Sequence, residues 1–327
     1  MPPLKPLTPL TPFTFADLFS GIGGFHQAAA SLGGRAIIAC EKESELRTLY
    51  KLNYGLLPHD DVRTLPKPPV ALDLICAGPP CQTFSHIGNQ DGTGDARGRL
   101  IYVTARYILS ARPKTFIIEN VKGLIHRSAM KRLLTMLKAE YEVAFGILDA
   151  ANFGVPQHRE RVYIIGRLKS GKTTDTTDID AVFTNLAAKK SKSERVTFAS
   201  IADVKPDESL LSHKFDDWIK EHGLLDPAKS KTATGFVLRA KRNGYINNKL
   251  FSSSGIVGTL CATYIPTIYD ERNRIARRLS IREMCICQGF GSFNFNGASR
   301  TAISHHIGNA VCVPVVRELM RELLTGC

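Results

Sequence analysis

No stretch of this 327-residue chain carries the roughly 20 consecutive apolar residues that a membrane helix needs. The start, Met1 to Pro12, has one lysine and scattered prolines but no apolar h-region, so it does not read as a secretory leader and a cytoplasmic location is expected. No CxxC pair occurs among the eight cysteines, and Cys285 and Cys287 lack the second ligand pair of a zinc site, so no metal is expected. Most of these cysteines then read as buried apolar residues in a reduced compartment. No internal repeat is visible. Negative charge is scarce, with 30 Asp and Glu against 43 Lys and Arg, a net charge of +13. That balance points to a polyanionic partner, nucleic acid ahead of a membrane surface.

What is present is a core-forming globular composition, 43% apolar, in one large domain or two modest ones. From Phe13 to Gly166 short apolar runs alternate with amphipathic segments. Strands are expected at 13–19, 36–40, 72–77, 115–118, 143–148 and 162–166, with helices at 24–32, 44–53, 100–110 and 129–138. That alternation implies an α/β fold, a mostly parallel sheet with helices on both faces, in which ligands sit beyond the carboxyl ends of the strands. Residues 169 to about 195 are rich in Lys, Thr, Ser and Asp and read as a linker or a mobile boundary. From 196 to 276 periodicity is poor and basic residues collect: Lys231, Arg239, Lys241, Arg242 and Lys249, then Arg272, Arg274, Arg277 and Arg278. Singly each is an ordinary solvated residue; as a cluster they form a candidate phosphate-contacting surface. Helical pattern returns at 281–288 and 311–324.

Four constellations carry chemistry. The first runs from Asp17 through Phe19, Gly21, Gly23 and Gly24, a strand passing into a glycine turn and a helix. Glycines let backbone approach a ligand, and free N–H groups there receive a pyrophosphate or a carboxylate. The spacing is not GxGxxG, which counts against a dinucleotide. Glu41 ends the second strand, where an acid accepts from ribose hydroxyls; alone, the pair indicates an adenosyl cofactor, or a structural glycine turn. The second is Gly78-Pro79-Pro80-Cys81-Gln82, in which two prolines fix the backbone before a cysteine at the sheet's edge. A reactive thiol needs an environment that favours thiolate; otherwise Cys81 is an idle loop residue. Gly88, Gly92, Gly94 and Gly98 follow, reading as a closing segment or as a disordered loop. The third is Glu119-Asn120-Val121, where an enclosed carboxylate would share a proton with a ring nitrogen, or act as a surface acid. The fourth is Gln157-His158-Arg159-Glu160-Arg161: two arginines at i, i+2 face one way and suit a phosphate or a base carbonyl, or an ion pair with Glu160.

In this order the segments resemble the bacterial cytosine-5 DNA methyltransferases, the minimal single-chain form of type II restriction–modification systems, over nearly the whole chain. Further matching blocks are Arg278-x-x-x-Arg282-Glu283 with Gln288-Gly289-Phe290, Thr259-Leu260, and Gly308-Asn309-Ala310-Val311. The resemblance implies a Rossmann-like S-adenosyl-L-methionine-dependent catalytic domain at 1–190, a smaller irregular target-recognition domain at 191–276, and a return segment at 277–327 packing on the first. It implies that a cytosine is rotated out of double-stranded DNA, that Cys81 adds to C6, that Glu119 holds N3 and the exocyclic amine, and that Arg161 holds O2 with Arg159 nearby. Phe19, Gly21, Gly23, Gly24, Glu41, Asp61, Val62, Pro80, Leu100 and Asn309 would hold the cofactor. Ser85, Arg97, Thr259, Arg272 and Arg274 would contact DNA, and Thr83–Arg99 would close over it. A monomer beside the nucleoid is implied, with a separately acting cognate restriction endonuclease as partner and no membrane. Lys42 stands where an aromatic often meets the adenine, Asp60-Asp61 replaces Gly-Asp, Gly291-Ser292 replaces Pro-Asp, and His305-His306 precede Gly308.

Three alternatives remain. A tRNA cytosine-5 methyltransferase shares these blocks, although its Cys-Phe-Thr signature is not found. A catalytically silent nucleic-acid binder would not need Cys81, Glu119 and Arg161 together. A nicotinamide-dependent oxidoreductase shares the glycine turn and Glu41 but has no use for Pro80-Cys81-Gln82.

Overall fold

The computed structural model describes residues 8–80, 99–169, 178–190, 196–211, 237–242 and 245–325. They fall into two compact units, one built from 5–148, 160–192 and 311–327, the other from 149–159 and 193–310.

The first unit is a six-stranded sheet flanked by helices. Its elements are β1 (Phe13–Leu18), α1 (Gly24–Ala30), β2 (Gly34–Cys40), α2 (Ser44–Tyr54), β3 (Leu74–Ala77), α3 (Leu100–Ala111), β4 (Thr115–Val121), α4 (Ser128–Leu137), β5 (Tyr141–Asp149), β6 (Glu160–Leu168) and α5 (Ala181–Lys190). The strand order is β2-β1-β3-β4-β6-β5. β1 pairs in parallel with β2 and β3, and β3 with β4, while β6 runs antiparallel to β4. Alternation divides the strands between two faces. Ala16, Leu18, Ile75, Ala77, Phe116, Ile118, Val162 and Ile164 share one core cluster with Ile101, Tyr102, Ala105 and Ile108 of α3 and with Met130 and Leu133 of α4. The alternate positions, Phe15, Asp17, Leu74, Cys76, Ile117 and Tyr163, are buried too. The last helix (Val313–Thr325) packs on α1 and α5.

The chain leaves β1 in one direction to form β2 and returns across it to form β3, so the strand order reverses beside β1. Open α/β sheets receive ligands beyond the carboxyl ends of the strands at such a reversal.

The second unit holds a four-stranded sheet of β7 (Val237–Arg242), β8 (Tyr245–Ser252), β9 (Thr267–Asp270) and β10 (Ile275–Arg278), in the order β10-β9-β8-β7. Two helices follow, α6 (Ile281–Gln288) and α7 (Arg300–Asn309), and Val313–Thr325, in the first unit, is α8. α6 opens with a full capping box: the Ser280 hydroxyl accepts from Glu283 N, and the Glu283 carboxylate from Ser280 N.

Two sequence expectations change. The linker or mobile-boundary reading of 169–195 is corrected over 181–190 by α5, whose Val182 and Leu186, one turn apart, are buried inside a polar composition that hid them; 170–177 and 191–195 lie outside the described residues. The poor periodicity of 196–276 conceals the second sheet. No helix among the described residues is long and apolar enough to cross a membrane.

Candidate active site

The first cluster lies on the carboxyl ends of β1 and β2. Past Leu18 the chain turns through Phe19 (φ 57°), Gly21 (φ 52°) and Gly23 (φ 78°) before α1. A left-handed conformation at a phenylalanine costs on the order of 1–2 kcal/mol and persists only where the surroundings enforce it. Here Ser20 N donates to Cys40 O at 3.0 Å and Gly23 N to Ser20 O at 2.7 Å. Glu41, 9% exposed, accepts from Gly21 N and from Glu43 N, each at 2.9 Å. Burial raises its carboxyl above the ordinary value, and those N–H donors offset part of the rise. Among the described residues no atom lies within 4 Å of where a Cβ on Gly21 would stand, so they leave open space beside the turn. Beneath it Asp17 is fully buried, its Oδ2 accepting from the Tyr50 hydroxyl at 3.2 Å, and desolvation pushes its carboxyl well up.

Asp61 departs from expectation in its partners. Its carboxylate is chelated by Arg63, Nε to Oδ1 at 3.0 Å and Nη2 to Oδ2 at 2.7 Å, with Lys42 Nζ at 3.7 Å. These donors, Arg63 foremost, hold it far below the usual carboxylate range. An adenine amine would have to share oxygens that Arg63 already engages. Val62 beside it is buried in the core, and Leu100, partly buried, begins α3.

The second cluster gathers at the ends of β3 and β4. Gly78 N donates to Leu18 O at 3.3 Å, tying β3's exit to the glycine turn. Pro79 and Pro80 follow; Cys81, Ser85 and Arg97, with most of the expected closing segment, lie outside the described residues. Asn120, 2% exposed, donates from Nδ2 to Pro79 O at 3.1 Å and accepts Val121 N on Oδ1. Sequence reasoning gave Asn120 no task, although its place in the Glu119-Asn120-Val121 block was the available signal. Glu119 lies within β4, which runs on to Val121, so it stands inside the ladder and not after it. Opposite it on β6 is Tyr163, and opposite Val121 is Arg161. Glu119 and Arg161 are therefore diagonal cross-strand neighbours. Arg161 Nε is 3.3 Å from Glu119 Oε1, the side chains 15% and 12% exposed. Glu160 pairs with Lys122 Nζ at 2.6 Å, while Arg161 reaches only its main-chain carbonyl. The ion-pair alternative for Glu160 thus falls to Lys122.

The third cluster belongs to the second unit. Arg159, 3% exposed, directs its guanidinium at three main-chain carbonyls: Leu260 at 2.7 Å, Gly308 at 3.3 Å and Ala310 at 2.9 Å. These bonds brace the segments around Leu260 and Gly308–Ala310. Gln157 donates to Cys287 O and Gln288 Oε1 and accepts from Leu260 N. Gln288 in turn donates to Ile307 O and Ala310 O. Sequence reading assigned neither glutamine a task. Thr259 bonds His158 O through its hydroxyl at 2.7 Å. Asn309 is exposed at the end of α7. Of the basic cluster, Arg272 and Arg274 are exposed in the β9–β10 connection. Arg277 is not: it is fully buried between Asp270 and Glu283, at 2.9 and 2.8 Å. Among the described residues no three His, Cys, Asp or Glu gather to hold a metal ion.

The model of the C-5 cytosine-specific DNA methylases matches residues 13–325. The type II methyltransferase M.HpaII of Haemophilus parainfluenzae is 32% identical over 331 residues, covering 95% of this chain and 89% of its own. The type II methyltransferase M.DsaV of Dactylococcopsis salina is 29% identical, covering 95% and 86%. Among solved structures, the Dnmt2 methyltransferase of S. pombe superposes with a TM-score of 0.71 at 21% identity, over 96% of this chain and 98% of that one, a likeness of fold. The chain belongs to the C-5 cytosine-specific DNA methylases and is a DNA cytosine-5 methyltransferase.

Proposed function

We propose that the chain methylates C5 of a flipped-out cytosine within a short specific duplex site, through a transient bond from Cys81 to C6. The observation that carries the reading is the Glu119–Arg161 pair, 3.3 Å apart and partly open, beside the dipeptide that leads into Cys81 and that Asn120 fastens.

The glycine turn fits an adenosyl cofactor: it has open space at Gly21, a strained Phe19 at its mouth and a buried acid, Glu41, at its side. Phe19, Gly21, Gly23, Gly24, Glu41, Asp61, Val62, Pro80, Leu100 and Asn309 would hold S-adenosyl-L-methionine, which when bound supplies an electrophilic methyl group. Glu119 holds N3 and the exocyclic amine of the cytosine, and Arg161 holds O2. Drawing electrons toward the ring edge opens C6 to the Cys81 thiolate, and the electron pair then resides on C5. The carbanion character at C5 would accept the methyl group as its bond to the donor sulfur breaks and a neutral thioether departs; a base would then take the C5 proton, and the electrons of that C–H bond would expel the Cys81 thiolate. The base must leave the stack for a thiol to reach C6.

Double-stranded DNA is the proposed substrate, bound in part by Ser85, Arg97, Thr259, Arg272 and Arg274. Residues 1–190 would serve catalysis, 191–276 target recognition, and 277–327 would complete the catalytic domain. The chain would act as a monomer, and the similarity to type II methyltransferases supports a role in protecting host DNA from a separate cognate restriction endonuclease.

A duplex carrying 5-fluorocytosine tests the chemistry, because fluorine at C5 leaves no proton to remove and the thiolate cannot depart. The expected result is a stable protein–DNA adduct on Cys81, absent in Cys81→Ala, with Glu119→Gln about 100-fold or more slower on normal DNA. Bisulfite sequencing of DNA from expressing cells should show one short protected motif. Methylation that survives Cys81→Ala refutes the mechanism; methylation of RNA alone would favour the tRNA reading.

A further inference from the structure

The glycine turn has a second support that nothing in the chemistry above requires. Tyr54, the last residue of α2, places its hydroxyl 2.9 Å from Ile22 O and 3.3 Å from Gly23 O. Burial pushes that phenol up, so it stays protonated as a donor at any working pH. A Cβ on Gly23 would lie 2.7 Å from both Tyr54 Cζ and Oη, so the ring lies against the glycine's α-carbon. The other face of the ring is stacked on His26, centroids 4.0 Å apart and planes 17° from parallel, and Tyr50 meets it edge-on at 4.7 Å. His26 Nδ1 is 2.7 Å from the Tyr50 hydroxyl, which reaches Asp17. The ring is thus clamped on two sides, and its one rigid polar atom meets the two peptide units before α1. On the far side of the turn, Glu41 holds Gly21 N.

We infer that Tyr54 is a positioning residue for the methyl donor: it fixes the Ile22–Gly23 peptides in the left-handed turn that presents the loop's main chain to the cofactor. The inference rests on the reading of the glycine turn as the cofactor site. A left-handed glycine is flexible by nature, and a flexible loop binds more weakly because binding must first order it. Tyr54 touches no reacting atom, so its loss acts on cofactor affinity and leaves the chemical step alone.

Titration of the full chain with S-adenosylhomocysteine, alongside steady-state kinetics, tests this. Tyr54→Phe keeps the ring and deletes the hydroxyl with its bonds to the turn and to the Gln27 side chain; loss of about 1 kcal/mol of support to the turn corresponds to about a fivefold weaker Kd. KM for S-adenosylmethionine should rise in step, while kcat and KM for DNA stay within about twofold. Tyr54→Leu, which also removes the stacked ring, should weaken binding further. A merely structural tyrosine would lower the melting temperature of Tyr54→Phe and leave Kd unchanged, and that result overturns the inference; if the leucine variant does not fold, the phenylalanine variant decides alone. Failure of the unaltered chain to bind S-adenosylhomocysteine would remove the cofactor reading itself, and the inference with it.

Discussion

Helix propensity and packing make opposite forecasts for Gly308→Ala. Gly308 lies in α7, one residue from its end, and carries no positive φ. By propensity alone, alanine in a helix is favoured over glycine by about 1 kcal/mol. A Cβ there would stand 2.5 Å from Cys261 O and 2.6 Å from Ala262 N, both main-chain atoms that cannot rotate away. The helix end would have to retreat by roughly 1 Å to restore ordinary contact. Such a shift breaks the Arg159 bond to Gly308 O, already 3.3 Å, and strains the Gln288 bond to Ile307 O. Overpacking costs about 1–3 kcal/mol and each of the two weakened hydrogen bonds about 0.5–1.5 kcal/mol, so after the propensity gain the net loss is about 1–5 kcal/mol, about 3 kcal/mol at its middle. At about 2–4 °C per kcal/mol for a domain of this size, melting should fall by roughly 6–12 °C at that middle value in differential scanning fluorimetry. Gly297→Ala is the control: its φ of 71° strains the backbone but no described residue lies within 4 Å, so about 1 kcal/mol is expected. A Gly308→Ala protein that melts at or above the unaltered chain would refute the reasoning.

Arg159→Ala should behave as loss of a brace: the carbonyls of Leu260 and Gly308 and, beside its Gln288 bond, that of Ala310 each lose a donor, and the melting temperature falls by more than in Arg159→Lys. A drop in kcat with unchanged melting would instead place Arg159 in the cytosine pocket. For His26, burial holds the imidazole down at about 4 against an ordinary 6.5. The folded state therefore resists the proton that the unfolded chain accepts, so this contribution is fully present above pH 6.5 and is lost as pH falls from about 6.5 to about 4. Asp17 and Glu41, raised by burial, act in the opposite sense on acidification but are present in both proteins. His26→Phe should accordingly show a shallower decline in urea midpoint between pH 7 and pH 4 than the unaltered chain; identical slopes would remove the assignment.

The first unit was legible because each strand is short, apolar and followed by a helix, so periodicity changes at every boundary. β1, α2, β3 and α6 lie within a residue or two of where the pattern puts them. The second sheet was not legible, for a physical reason. β8 pairs with β9 across the turns of residues 253–266, and basic residues interrupt the alternation in β7 and β8. A sheet whose register depends on such distant pairs leaves little local signal. α7 hid in the same way: Ile303 and Ile307 form a single buried stripe between histidines and small polar residues.

The site shows a subtler limit. The i, i+2 argument placed Arg159 and Arg161 on one face, but period two holds only inside a strand, and β6 begins at Glu160. Arg161, inside the ladder, is set against Glu119 by pairing with β4; Arg159, outside it, turns to Leu260, Gly308 and Ala310. The same division runs through the other blocks. Glu119, Asn120, Pro79 and Arg161 are tied to one another at the sheet's rim, whereas Gln157, Thr259, Leu260, Gln288 and Gly308 interlock through main-chain carbonyls. An ordered series of motifs identifies a family without telling chemistry from carpentry, because a buried guanidinium and a catalytic one have the same letter. Partner atoms separate them. A guanidinium engaged by buried main-chain carbonyls, as at Arg159, should act on stability, while one set against a partly exposed carboxylate, as at Arg161, stays available to a substrate, and variants in the two groups should divide between melting temperature and kcat accordingly.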